Sequence, residues 1–113
     1  MKERFSARML RIHCSEADRW ENQPLHEVIL SKCMELGIAG ATVYRGLESF
    51  GPGASIHRAR GLGSSKNAPI MITVIDREEE VEKLIPHLDR LIGTGLVASS
   101  RVEAVRYFGK AAL

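Results

Sequence analysis

With 113 residues, the chain has room for one domain with a real core and too little for two. Its 44% apolar and 27% charged residues are globular proportions, and a formal net charge of +2 is too small to point to a duplex nucleic-acid binder on charge alone. No stretch approaches the ~18 apolar residues of a membrane span, and the N-terminal MKERFSARM lacks the apolar core of a secretion signal, so the expected compartment is the cytoplasm.

Arg8 to Cys14 (RMLRIHC) alternates, with Leu10, Ile12 and Cys14 on one face, and reads as a strand. Ser15 to Gln23 is polar and ends at Pro24, whose missing N–H suits the first turn of a helix. Trp20, the only tryptophan, is expected to cap the core beside Leu25. Leu25, Val28, Ile29, Cys33 and Leu36 recur at helical spacing, and Gly37 is a natural stop. Ala41 to Arg45 (ATVYR) is a short β-rich run.

Ile70 to Ile75 (IMITVI) is apolar on both faces, which predicts a central strand covered on both sides. Asp76, with Glu79 three residues on, has the form of a capping box that opens a helix. The acidic run Glu78 to Glu80 then reads as a solvated helix start that complements the helix dipole. Val81, Leu84, Ile85, Leu88, Leu91 and Ile92 form a helical stripe, and Pro86 predicts a kink or slight break within it. Gly93 and Gly95 end this helix, and the last strand lies within Val97 to Tyr107.

The order β-α-β, loop, β-α-β is the α+β ferredoxin-like arrangement βαββαβ: a four-stranded antiparallel sheet with both helices on one face. Right-handed crossovers place strands one and three side by side in the middle. Two helices cover one face only, yet strand three is apolar on both. The second face is therefore expected to meet another copy of the chain.

Between Gly37 and Gly61 the chain holds six glycines and three arginines in 25 residues, and the loop from Gly46 to Ser65 shows no pattern of its own. Loops of this length are usually functional or disordered. Glycines allow close backbone approach, and arginine pairs naturally with carboxylate or phosphate. Gly51, Gly53, Gly61 and Gly63 match neither GxxxxGK[ST] nor GxGxxG. His57, Arg58 and Arg60 make an anionic contact the natural expectation. The four histidines lack metal-ligand spacing, no metal is expected, and Cys14 and Cys33 read as reduced, mostly buried thiols. No serine or cysteine stands in a nucleophile elbow, so no catalytic residue is assigned and a non-enzyme is expected. Two alternatives are an enzyme acting in an intersubunit cleft through His57 or Asp18 and a ferredoxin-like RNA-binding module. The second is disfavoured because IMITVI displays no aromatic on which to stack bases; no nucleic-acid partner is expected.

The segment GIAGATVYRG, followed by the long glycine-containing loop, IMITVIDREEEVEKLIPHL and GTGLV, resembles the PII signal-transduction superfamily. RIHCSEADRWENQPLHEVIL with GATVYRGLESFG is similar to the PII-like DUF190 (UPF0166) family, and the match spans about residues 8–107. The resemblance implies a single PII-like domain over 1–113 with a mobile T-loop-like segment at 46–66. It implies a homotrimer with ligand clefts between subunits, an adenine nucleotide (ATP, ADP or AMP) as regulatory ligand, and a transporter or enzyme as the regulated partner. Carried onto this chain, Arg45, Gly46, Gly51, Gly53, His57, Arg58 and Arg60 belong to the loop that faces the ligand. Gly93, Thr94 and Gly95 would form the turn beneath the phosphates, with Arg101 or Arg106 reaching in from the final strand. The chain departs from the superfamily where it reads TGLVASSR instead of a TGxxGDGK-type run, with Arg101 standing in for the missing lysine. It also lacks a modifiable loop tyrosine, because Tyr44 lies in the strand. A different small anion or nucleotide is the alternative ligand.

Overall fold

The computed structural model describes residues 1–50, 56–58 and 68–109, with the backbone alone at 48–50 and 56–58. In chain order the elements are β1 (Lys2–Ser15), β2 (Arg19–Trp20), β3 (Gln23–Pro24), α1 (Leu25–Glu35), β4 (Ala41–Arg45), β5 (Glu48–Phe50), β6 (Ile56–Arg58), β7 (Pro69–Arg77), α2 (Glu78–Leu91) and β8 (Leu96–Tyr107). The main sheet runs β4-β7-β1-β8, and every neighbouring pair is antiparallel. The first and third long strands, β1 and β7, lie at its centre, as the ferredoxin-like reading requires.

Alternation decides which face meets the helices. Leu10 and Ile12 of β1 and Ile70, Ile72 and Val74 of β7 are buried with Leu25, Ile29 and Cys33 of α1 and Val81, Leu84, Leu88 and Leu91 of α2. Each fully buried Leu or Ile contributes about 1.5–3 kcal/mol. Trp20 packs against this core, as expected. The opposite face of β7 is different: Met71 and Thr73 are half-buried and Ile75 is 39% exposed. Among the described residues of one chain, β7 is therefore fully covered on its helix-facing side only.

Helix α1 stops as its sequence indicates. Gly37 sits at φ 76°, its N–H donates to Met34 O at 3.1 Å, and the Ile38 N–H donates to Cys33 O at 3.0 Å. Both bonds of a Schellman motif are present, with Ile38 buried beside Cys33.

Four expectations are corrected. Asp76 does not cap α2. The Ala7–Arg77 and Arg8–Asp76 pairings carry β7 through Arg77, so Arg77 is the N-cap, without a side-chain cap bond. Asp76 is instead buried and accepts hydrogen bonds from Ala39 N at 2.9 Å and Arg77 N at 2.8 Å. Second, the break allowed for at Pro86 does not occur, since α2 continues from Glu78 through Pro86 to Leu91. Pro86 and Glu82 are both exposed, so water can take the carbonyl that proline leaves unbonded, while Val81, Leu84, Leu88 and Leu91 hold the helix on its inner side.

Third, β1 begins at Lys2 rather than Arg8, because Lys2 to Ala7 pair with Tyr107 to Val102 of β8. Fourth, the polar stretch before α1 holds a hairpin. Arg19 pairs with Pro24 and Trp20 with Gln23, across a turn in which Glu21 (φ 47°) and Asn22 (φ 68°) are both left-handed. That is the signature of a type I′ turn, built here without the usual glycine. The segment after β4 likewise holds a short antiparallel pair, with Glu48 opposite Arg58, Ser49 opposite His57 and Phe50 opposite Ile56.

Candidate functional site

At one end of the sheet, β1 and β4 finish while β7 and β8 begin. Gly46, just past β4, donates its N–H to Pro69 O at 2.7 Å. A Cβ on Gly46 would lie 2.8 Å from Pro69 Cγ. Gly95, just before β8, is tighter still in kind, because its Cβ would lie 2.8 Å from the backbone oxygen of His13. Real Cβ atoms do not approach this closely, so both glycines are required by packing of one chain segment against another. Gly93 has open space around it, and Thr94 is exposed.

Arg45 stands at the root of the segment that follows β4. Its Nε donates to Glu16 Oε2 at 2.5 Å, and both side chains are about one-third exposed (34% and 31%). Glu16 is itself placed by its backbone, whose N–H donates to Ala68 O at 2.8 Å. The neighbouring Asp18 accepts from Ser15 N at 2.9 Å through Oδ2, and its carbonyl accepts from Leu25 N at 2.9 Å. Sequence reasoning missed Glu16: it lies 29 residues from Arg45, and no spacing rule connects them.

The two arginines named from the final strand are elsewhere in the chain. Arg101 lies five residues into β8 from Leu96, about 17 Å along the strand, and Arg106 about 34 Å. Arg101 is 73% exposed and 3.6 Å from Glu78 at the start of α2. Glu78 is gripped by Arg8, whose Nε and Nη2 both donate to the carboxylate and whose Nη1 donates to Ser99 Oγ at 2.7 Å. The Arg8 hydrogen bond holds the Glu78 carboxyl below the usual glutamate range, and the Arg8 guanidinium is raised in turn. Arg106 stacks on Phe5, 5.0 Å from its centroid, with Arg77 at 4.5 Å. Arg77 also donates to Glu3 at 2.6 Å.

Gly51, Gly53 and Arg60 lie outside the described residues, and for His57 and Arg58 the structure describes backbone alone. Of the candidates, then, Arg45, Gly46, Gly93, Thr94 and Gly95 share one end of the sheet. Arg101 and Arg106 stand away from it in the same chain. Burial pushes the thiols of Cys14 and Cys33 up to about 11, so neither is poised as a nucleophile or metal ligand. Among the described residues no group of three or more His, Cys, Asp or Glu side chains is arranged to hold a metal ion, and no helix is long and apolar enough to cross a membrane.

The sequence matches the DUF190 family (Uncharacterized ACR) over residues 7–104. The chain belongs to the DUF190 family. A UPF0166 protein of Methanocaldococcus jannaschii is 31% identical, over 82% of this chain and 86% of that protein. A UPF0166 protein of Aquifex aeolicus is 28% identical, over 87% and 92%. Among solved structures, CPII of Thiomonas intermedia K12, a nitrogen regulatory PII-like protein bound to ADP, AMP and bicarbonate, aligns with a TM-score of 0.65. That alignment covers 90% of this chain and 91% of CPII at 19% identity. The fold of this DUF190 protein is PII-like.

Proposed function

We propose that this DUF190 protein is the subunit of a PII-like homotrimeric sensor. It binds a small anionic ligand, with an adenine nucleotide as first candidate, in clefts between copies. It signals to a regulated transporter or enzyme through the segment 46–66. The observation that carries this reading is the placement of Gly46 and Gly95. They sit at the same end of the sheet but on its opposite edge strands, β4 and β8, three inter-strand spacings or about 14 Å apart. On this reading each chain contributes two half-sites, one at each edge of the sheet. A heterologous contact that closes into a ring sets the β8 edge of one copy beside the β4 edge of the next and joins the halves. The half-exposed second face of β7 supports the same assembly, since burying Met71 and Ile75 requires a further layer. The ADP and AMP named for CPII support the choice of nucleotide.

In this mechanism Arg45 passes from Glu16 toward the ligand anion when the ligand binds. The ligand shifts the segment beyond Gly46 only by its differential affinity for the two states. Sedimentation gives the assembly mass, and calorimetric titration with ATP, ADP, AMP and cyclic dinucleotides tests the ligand. Heat from at least one adenine nucleotide, saturating at one site per cleft, is the expected outcome. Silence across all of them, with the trimer intact, rejects the nucleotide.

A further inference from the structure

On the open face of the sheet one transverse row differs from those beside it. Register sets Thr42, Thr73, Arg11 and Ala98 next to one another across β4, β7, β1 and β8. The row on one side is Tyr44, Met71, His13 and Leu96; on the other side stand Ile75, Met9 and Ser100. An exposed guanidinium, with the Thr73 side chain opposite and Thr42 beyond it, thus occupies the middle of a mostly apolar surface. No carboxylate among the described residues of that surface lies beside it. Among the described residues, Glu3 is the only acidic side chain that strand alternation puts on this face. Glu3 is already engaged by Arg77 at 2.6 Å and approached by Arg106 at 3.9 Å. It lies eight residues along β1 from Arg11, about 27 Å away.

This has a consequence if copies cover the face, and the inference rests on that part of the proposed function. A closed ring presents the same surface of every copy to its axis, so the Arg11 guanidiniums converge in a site stripped of much of its water. Like charges there repel, and each loses solvation that no carboxylate beside it among the described residues replaces. We infer that the Thr42–Thr73–Arg11 row binds a small inorganic oxyanion on the inner face of the assembly. The donor set fits that class of ligand. Guanidinium offers a planar fork matched to two oxygens, and threonine hydroxyls add donors at its side. A halide meets only part of this arrangement. Such a site is separate from the nucleotide half-sites, because Arg11 is a mid-strand residue and Gly46 and Gly95 lie beyond strand ends.

Thermal unfolding and sedimentation of the full chain in sodium phosphate or sulfate, against sodium chloride at equal pH and ionic strength, test it alongside Arg11→Met and Thr73→Val. Arg11→Met keeps the aliphatic stem and should fold, because Arg11 is exposed in the single chain. The expected result is a melting temperature about 4 °C higher in the oxyanion buffers for the wild-type assembly. Arg11→Met should assemble without any such shift, and Thr73→Val should show a smaller one. An assembled wild type that ignores oxyanions overturns the inference and leaves the assembly standing. An equal shift in Arg11→Met also overturns it, by placing the anion elsewhere. A monomer in every buffer removes the assembly reading and this inference with it.

Discussion

The two ends of the sheet use arginine in opposite ways. At the end where β1 and β4 finish, Arg45 is held by Glu16, and the backbone is drawn in close around Gly46 and Gly95. At the other end, arginines are built into the framework. Arg8 grips Glu78 and Ser99, Arg77 and Arg106 flank Phe5, and Glu3 lies against both of them. A cation already satisfied by an aromatic face and carboxylates has little to gain from a ligand. The difference separates arginines shared between an aromatic ring, a hydroxyl or several carboxylates from Arg45, which pairs with Glu16 at the root of the segment after β4 and which the proposed function makes the one to exchange its partner. Charge alone did not distinguish them.

The sharpest way to break this comparison is at the glycines. Gly95→Val should cost about 3 kcal/mol in chemical denaturation, because its Cβ meets a backbone oxygen that cannot swing aside. Gly93→Ala, in open space, should stay within about 0.5 kcal/mol. Equal effects would mean that the turn is not packed against β1 as described.

The next test concerns the arginines. Arg45→Gln should weaken adenine-nucleotide binding about tenfold, or about 1.4 kcal/mol, in calorimetric titration. Arg106→Gln should leave that affinity within about twofold while lowering the melting temperature. A reversed outcome would move the ligand to the other end.

At that end, Phe5→Leu keeps an apolar side chain and removes the ring shared by Arg77 and Arg106. A loss of about 1 kcal/mol in denaturant titration is expected. No loss would show that the stack is incidental to the pairing of β1 with β8.

The smallest effect is in pH dependence. The folded-state pKa of Glu78 lies below its unfolded value, through its bond with Arg8. Its contribution is therefore fully present above the unfolded glutamate pKa and is lost as pH falls through the depressed folded value. Melting temperatures of wild type and Glu78→Gln should differ most near neutral pH and converge in the acid range. Parallel curves down to the lowest pH would reject the ion pair as a source of stability.

Much of this architecture was legible in the residues. The alternation of Leu10 and Ile12, the helical stripes through Ile29 and Leu84, and the stop at Gly37 are local patterns that burial and backbone sterics enforce. What was misread depended on partners far along the chain. Asp76 and Glu79 have capping-box spacing, yet β7 keeps pairing with β1 through Arg77, and Asp76 turns to Ala39 instead. Lys2 to Ala7 carry a weak strand pattern and become strand because β8 lies alongside. The Glu21–Asn22 turn lacks the glycine that announces such hairpins.

The candidate site divides in the same manner. Family membership and the PII-like fold came from the order of short motifs, which also put Gly46 and Gly95 on a longer list of candidates; that these two lie at close approaches of the backbone came from the structure. The tertiary structure alone decided that Arg101 and Arg106 stand away from those glycines, that Glu16 holds Arg45, and that Arg11 stands beside Thr73 with no neighbouring carboxylate among the described residues of that face. Strand register decides which side chains share a face. It is set by pairing between segments that no local pattern relates.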